Sequence, residues 1–237
     1  MYYGLGYYYD PTYMLVILGM LLCLGASALV NSTMSKYKKV RSSTGLTGAE
    51  TAQRILQNEG LYNVQIECLK EQSGDHYDPR TNTVRLSYDV YNSPSVTSVA
   101  VAAHECGHAI QHAKGYVPLS LRSAMVPVVN IASNVGLPMI LLGVLLSWNQ
   151  VLIQIGIWAF VLAVLFQIVT LPVEFNASHR AVVKISQYGL LSERENGGCK
   201  KVLLAAALTY VAAAASSILQ LLRLLLLFGG GSRRRND

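Results

Sequence analysis

The sequence predicts a mainly α membrane protein, with three to four transmembrane helices and a small α+β region outside the bilayer. Three observations carry that reading. Only 14% of the residues are charged and the mean hydropathy is +0.35, against roughly 25% charged residues in an ordinary soluble domain. Ser123 to Val173 is a stretch of 51 residues without one Asp, Glu, Lys, Arg or His. Most of the remaining polarity is gathered between residues 36 and 124. The high apolar content excludes a disordered chain, and 237 residues leave little room for a large multidomain enzyme. Four scattered cysteines, Cys23, Cys68, Cys106 and Cys199, include no CxxC pair and form neither a disulfide framework nor a cysteine metal cage.

The elements follow in order. Met14 to Val30 is nearly continuous apolar sequence, long enough to cross a hydrocarbon core of about 30 Å as a helix. Tyrosines suited to a membrane interface precede it (Tyr2, Tyr3, Tyr7, Tyr8, Tyr9, Tyr13), and Lys36, Lys38, Lys39 and Arg41 follow it. The positive-inside rule then puts the N-terminus outside and residue 36 in the cytoplasm. Thr47-Gly48-Ala49-Glu50 fits a capping box and Gly60 a helix stop, which predicts a short helix over about 48–58. Val64 to Ile66 and Thr83 to Ser87 alternate with the period of strands, with a turn at Asp78 to Asn82 between them. Val96 to Lys114 reads as a helix opened by Asn92-Ser93-Pro94-Ser95 and closed by Gly115 and Pro118.

As one helix, the uncharged run would extend about 76 Å, far beyond a bilayer. Two spans are therefore expected near 126–147 and 151–172, turning at Trp148-Asn149-Gln150, with Pro127, Pro138 and Pro172 expected to kink or end them. Val202 to Leu222 is a fourth uncharged segment. Alternation would place the tail that follows it, with Arg233 to Arg235, outside, against the positive-inside rule. The Ala-rich stretch from Ala205 to Ala215 suits a protein interior equally well, so this helix either crosses or packs inward. The domain order expected is 1–35 external N-terminus and first span, 36–124 polar region, 125–173 membrane hairpin, 174–201 helix and loop, and 202–237 apolar helix with basic tail.

Ten of the 19 Lys and Arg lie between Lys36 and Arg122, five between Arg180 and Lys201 and four from Arg223 onward. Interleaved Asp and Glu dilute any basic patch, so the net charge of +6 points to membrane topology and not to nucleic acid.

His104-Glu105-Cys106-Gly107-His108 is an HExxH motif. Four residues apart on a helix, the two imidazoles share a face and can hold one metal ion, while Glu105 lies one step round, placed to take a proton from water on that metal. From the chain's own His and Glu content such a match is expected about 0.004 times by chance. Polar groups in an otherwise Ala-Val helix would also need partners if they were merely structural.

A catalytic zinc needs a third protein ligand and an open position. His112, Glu174 and His179 are the candidates. His112 is about 12 Å along the helix axis from His104, too far to share an ion. Glu174 is favoured, because two crossings return it to the side of His104 and His108, and His2Glu is a known catalytic zinc set. His179 falls on a different helix face and is at most auxiliary. A donor to the developing oxyanion is also required. Tyr210, Arg180 and His179 are possible, and Tyr210 is preferred because a phenol in an Ala-rich helix needs a hydrogen-bond partner. The strand from Thr83 to Ser87, as an edge strand beside the metal, could pair with an extended peptide.

HECGHAIQH (residues 104–112), DHYDPRTNTVRLS (75–87) and LPVEFNAS (171–178) occur in this order and resemble the YugP-type membrane neutral zinc metallopeptidases, more distantly the HtpX-type proteases. The resemblance covers most of the chain. It implies a zincin-like, gluzincin-type site with one catalytic Zn2+, His104, His108 and Glu174 as its ligands and Glu105 as base. One position departs: the HtpX-type pattern is Glu-x-x-Ala-Asp, whereas Ser178 stands at the Asp position here, so the contact made from it differs.

The function expected is a membrane-embedded zinc endopeptidase acting on polypeptides or membrane-protein substrates at the cytoplasmic face, with the lipid bilayer as its other partner and no nucleic acid. The alternative is an inactive zinc-binding membrane scaffold or adaptor. A metal transporter is disfavoured, since transporters carry ligands near the bilayer midplane and the apolar runs before Glu174 have no ionisable residue.

Overall fold

A computed structural model describes residues 10–70 and 74–229. The elements are α1 (Tyr13–Lys38), α2 (Gly48–Asn58), β1 (Gln65–Leu69), β2 (His76–Asp78), β3 (Thr83–Ser87), α3 (Tyr88–Asn92), α4 (Val96–Ala113), α5 (Val117–Leu145), α6 (Gln150–Gln187) and α7 (Glu193–Phe228). Helices dominate, and α1, α5, α6 and α7 are each long and apolar enough to cross a membrane. The tyrosines from Tyr2 to Tyr9 and the Arg233 to Arg235 tail lie outside the described residues.

Local signals explain the head, the region formed by α2, the sheet, α3 and α4. Thr47 accepts a hydrogen bond from the Glu50 backbone N–H at 3.2 Å while the Glu50 carboxylate accepts from the Thr47 N–H at 2.8 Å, the reciprocal capping box that starts α2. The sheet order is β1-β3-β2, with β1 parallel and β2 antiparallel to β3. The Thr83–Ser87 strand is thus the central one, not an edge. Both of its ladders are taken, by β1 and β2, and its alternate residues Val84 and Leu86 are fully buried on one face. β1 and β2 are the sheet's two edges.

The membrane helices are fixed relative to one another at their ends. Arg223 of α7 lies 3.7 Å from Asp10, just before α1, and over the ring of Tyr13 at 4.3 Å, so α1 and α7 are antiparallel. Trp148, in the turn between α5 and α6, meets Phe228 at the end of α7, their ring centroids 6.0 Å apart. The outset of α1, the α5–α6 turn and the end of α7 therefore share one end of the bundle. Asn149 closes that turn by accepting from the N–H groups of Val151 and Leu152 at 3.1 and 3.3 Å.

Two helices run further than their apolar segments. α7 begins at Glu193 and its buried face includes Ala205, Ala207, Ala212 and Ala214. It combines the length of a span with inward packing of its Ala-rich half. α6 does not end at Pro172 but continues to Gln187, so Glu174 sits on the extension of the second hairpin helix. Thr170 satisfies a carbonyl in the turn before the proline, its hydroxyl donating to Phe166 O at 2.8 Å.

Candidate metal centre

The α4 helix supplies half of the centre. Ser95 caps it, accepting from Ser98 N–H at 3.1 Å. His104 and His108, one turn apart, present their rings edge to face at 4.8 Å. Glu105 beside them is buried.

The other half comes from α6, and a glycine lets it approach. A Cβ on Gly107 would stand 2.6 Å from the carbonyl oxygen of Ala177, so only glycine permits the two backbones this separation. The close seam sets Glu174 and Ser178 against the histidine pair. Glu174 Oε2 lies 3.2 Å from His104 Nε2 and 3.7 Å from His108 Nε2, and the carboxylate is only 2% exposed. The donor atoms of these three residues fall within 4.8 Å of one another.

The remaining ring nitrogens have partners of their own, and both Nε2 atoms face Glu174. The Gln111 amide nitrogen donates to Val173 O at 2.8 Å and to Asn176 Oδ1 at 3.0 Å, which leaves its Oε1 to accept from His108 Nδ1 at 3.1 Å. His108 therefore carries its proton on Nδ1. Ser178 Oγ is 3.2 Å from His104 Nδ1 and holds that ring on the side away from Glu174. The serine that departs from the HtpX-type pattern is thus the group that orients His104. Burial works against a charge on His108, but hydrogen bonding to Glu174 and the negative charges of Glu105 and Glu174 outweigh it and raise its proton affinity above that of an ordinary imidazole. Two imidazoles and a buried carboxylate, each with an outer partner, are a donor set suited to zinc.

The cluster opens onto a cleft of about 410 Å³ whose walls include Asp75, His76, Tyr77, Glu105, Arg122 and Tyr210. Arg122, on the second turn of α5, brings Nη1 to 3.3 Å from the other Glu174 oxygen, Oε1. His76 and Tyr77 bring β2 into these walls. Tyr77 ties it to α4, donating to Asn82 Oδ1 at 2.9 Å and accepting from His112 Nδ1 at 2.8 Å, and its burial pushes the phenol up to about 12. Asp78 ties it to β3 through Arg85 at 2.7 Å, the hydrogen bond holding its carboxyl down at about 2.

The structure brings together His104, Glu105, His108, Glu174 and Tyr210. It leaves out His112, engaged with Tyr77, and His179, which is exposed. Arg180 donates to Asn176 at 2.8 Å and does not line the cleft. Sequence reasoning missed Gln111, Arg122 and Asp75. Gln111 is three residues past His108 and hence on its face of the helix. Arg122 is the last charge before the uncharged run, and Asp75 opens the DHYDPR segment.

Three convergent donors, a neighbouring carboxylate and one open side define the class of hydrolytic metal centres, here joined to a four-helix membrane bundle. Comparison with known proteins gives the particular family. The chain matches the family described as "Putative neutral zinc metallopeptidase" over residues 12–229, and it belongs to that family. It is 48% identical over 188 residues, 79% of this chain and 83% of the other, to the "Putative membrane protease YugP" of Bacillus subtilis (strain 168). No solved structure matches it.

Proposed function

We propose that this protein is a membrane-embedded gluzincin-type endopeptidase, with one zinc held by His104, His108 and Glu174, that cleaves polypeptides or membrane-protein segments at the cytoplasmic face. The observation that carries the reading is the convergence of these three donors within 4.8 Å, from helices about 70 residues apart in sequence, beside a cleft that Glu105 and Tyr210 also line. Zinc in that cluster supplies Lewis acidity, polarising a peptide carbonyl and an attacking water. Glu105 takes the proton of the attacking water and delivers it to the leaving amine. Tyr210 donates a hydrogen bond to the oxygen on which negative charge develops. The β2 edge, unpaired on its cleft side among the described residues, offers backbone groups to an extended peptide. Lys36, Lys38, Lys39 and Arg41, at the end of α1 nearest the cluster, support a cytoplasmic placement.

Metal analysis with hydrolysis of an unstructured polypeptide tests the proposal. Wild type should hold one zinc per chain. Glu105→Gln should keep the zinc and lose about 10²- to 10⁴-fold in rate, and Glu174→Ala should lose the zinc. Zinc-loaded wild type that cleaves no polypeptide or membrane substrate would instead support the scaffold reading.

A further inference from the structure

The same cluster borders a second cavity. It measures about 190 Å³ and lies between α1, α4, α6 and α7. Its polar end is Asp75, His104, Glu105, Glu174, Ser178 and Tyr210, all but Ser178 shared with the cleft. Its body is apolar, walled by Met34, Val101, Val202, Leu203, Ala206 and Ala207.

An apolar space of this size calls for an explanation. Protein interiors are packed as densely as organic crystals, and a void lined by hydrocarbon forfeits contacts without gaining hydration. Here α7 carries alanine at 206 and 207, where a larger side chain would fill the space. A cavity of about 150 Å³ in another protein admits a benzene ring, so this one has room for a single Leu, Ile, Met or Phe side chain.

Resting on the protease reading of this centre, we infer that the cavity is the enzyme's specificity pocket and that it receives one bulky apolar side chain flanking the scissile bond, with Ala206 and Ala207 as specificity-determining residues. A peptide whose carbonyl lies at the metal cluster has a neighbouring residue within reach of this opening. The substrates selected are segments rich in Leu, Ile, Met or Phe, the composition of sequence that enters or leaves a bilayer. Each methylene accommodated in such a pocket changes kcat/KM by about 10- to 200-fold.

The test uses full-length zinc-loaded protein in detergent or bilayers. Mass spectrometry of peptide-library cleavage should place the cuts beside Leu, Ile, Met or Phe. Ala207→Leu should lower the ratio of kcat/KM for Leu-flanked over Gly-flanked peptides by about tenfold or more, and Ala206→Leu serves as the second variant should Ala207→Leu fail to fold. Cuts without apolar preference, or equal losses for both peptides, would overturn the inference while leaving the protease reading intact. A readout without turnover separates the two further. Wild type should bind a leucine hydroxamate at least tenfold more tightly than a glycine hydroxamate by calorimetry, and Ala207→Leu should erase the difference. Equal affinities in wild type would overturn the pocket even where no peptide is cleaved.

Discussion

In the head, Ile55, Val84, Leu86, Val99 and Ile110 are wholly or almost wholly removed from solvent. In the α5–α6 hairpin, Leu141, Leu145, Val151 and Trp158 are 54–78% exposed. The hydrophobic effect acts in opposite directions in the two regions because their surroundings differ. The head sequesters hydrocarbon from water, whereas the hairpin presents it to lipid and associates through close packing of small residues. Gly156 shows the second mode: a Cβ there would lie 2.6 Å from the carbonyl oxygen of Gly136 across the seam. The metal centre is built where the regimes meet. α6 is exposed and apolar through its first part, then buries Val173, Glu174, Ala177, Ala181 and Ile185 on one face against the head.

The contrast can be broken most severely with paired truncations. Ile55→Ala, in the closed core, should destabilise the head by about 2–5 kcal/mol. Leu141→Ala, facing lipid, should change stability by less than about 0.5 kcal/mol. Thermal or denaturant unfolding in one detergent compares them, and equal effects would show that the hairpin is a water-excluding core like the head.

The junction can be tested next. Gly107→Ala should force α4 from α6, costing about 1–3 kcal/mol and weakening zinc binding, while Gly156→Ala should strain only the hairpin seam and leave zinc content unchanged. Loss of zinc in both variants would mean that the bundle and the centre are not separable.

The smallest expected effect sharpens the comparison at single contacts. Ser178→Ala and Gln111→Leu remove the outer partners of His104 and His108, and each should lower zinc affinity about 10- to 100-fold with the helices intact. Chelator competition measures it. Unchanged affinity in Ser178→Ala would show that His104 needs no partner on α6.

Much of this was legible because it is local. The capping box at Thr47, the turn at Asn149, the span lengths and the pairing of His104 with His108 depend on residues a few positions apart, where chain geometry fixes the outcome. The same locality made the placement of Thr83–Ser87 uncertain: alternation identifies a strand but not its neighbours, and the strand is central because β1 and β2 both pair with it.

By itself, then, the sequence determined the mainly helical membrane class, the HExxH face of α4 and two apolar spans between His108 and Glu174, since each follows from periodicity, run length and spacing. Only the tertiary structure decided that α6 passes through Pro172 without ending, that Gly107 admits Ala177, that Ser178 and Gln111 orient the two imidazoles, and that Arg122 meets Glu174. Those outcomes turn on ångström-scale approaches between helices distant in the chain, and no pattern along one segment specifies what will stand across from it.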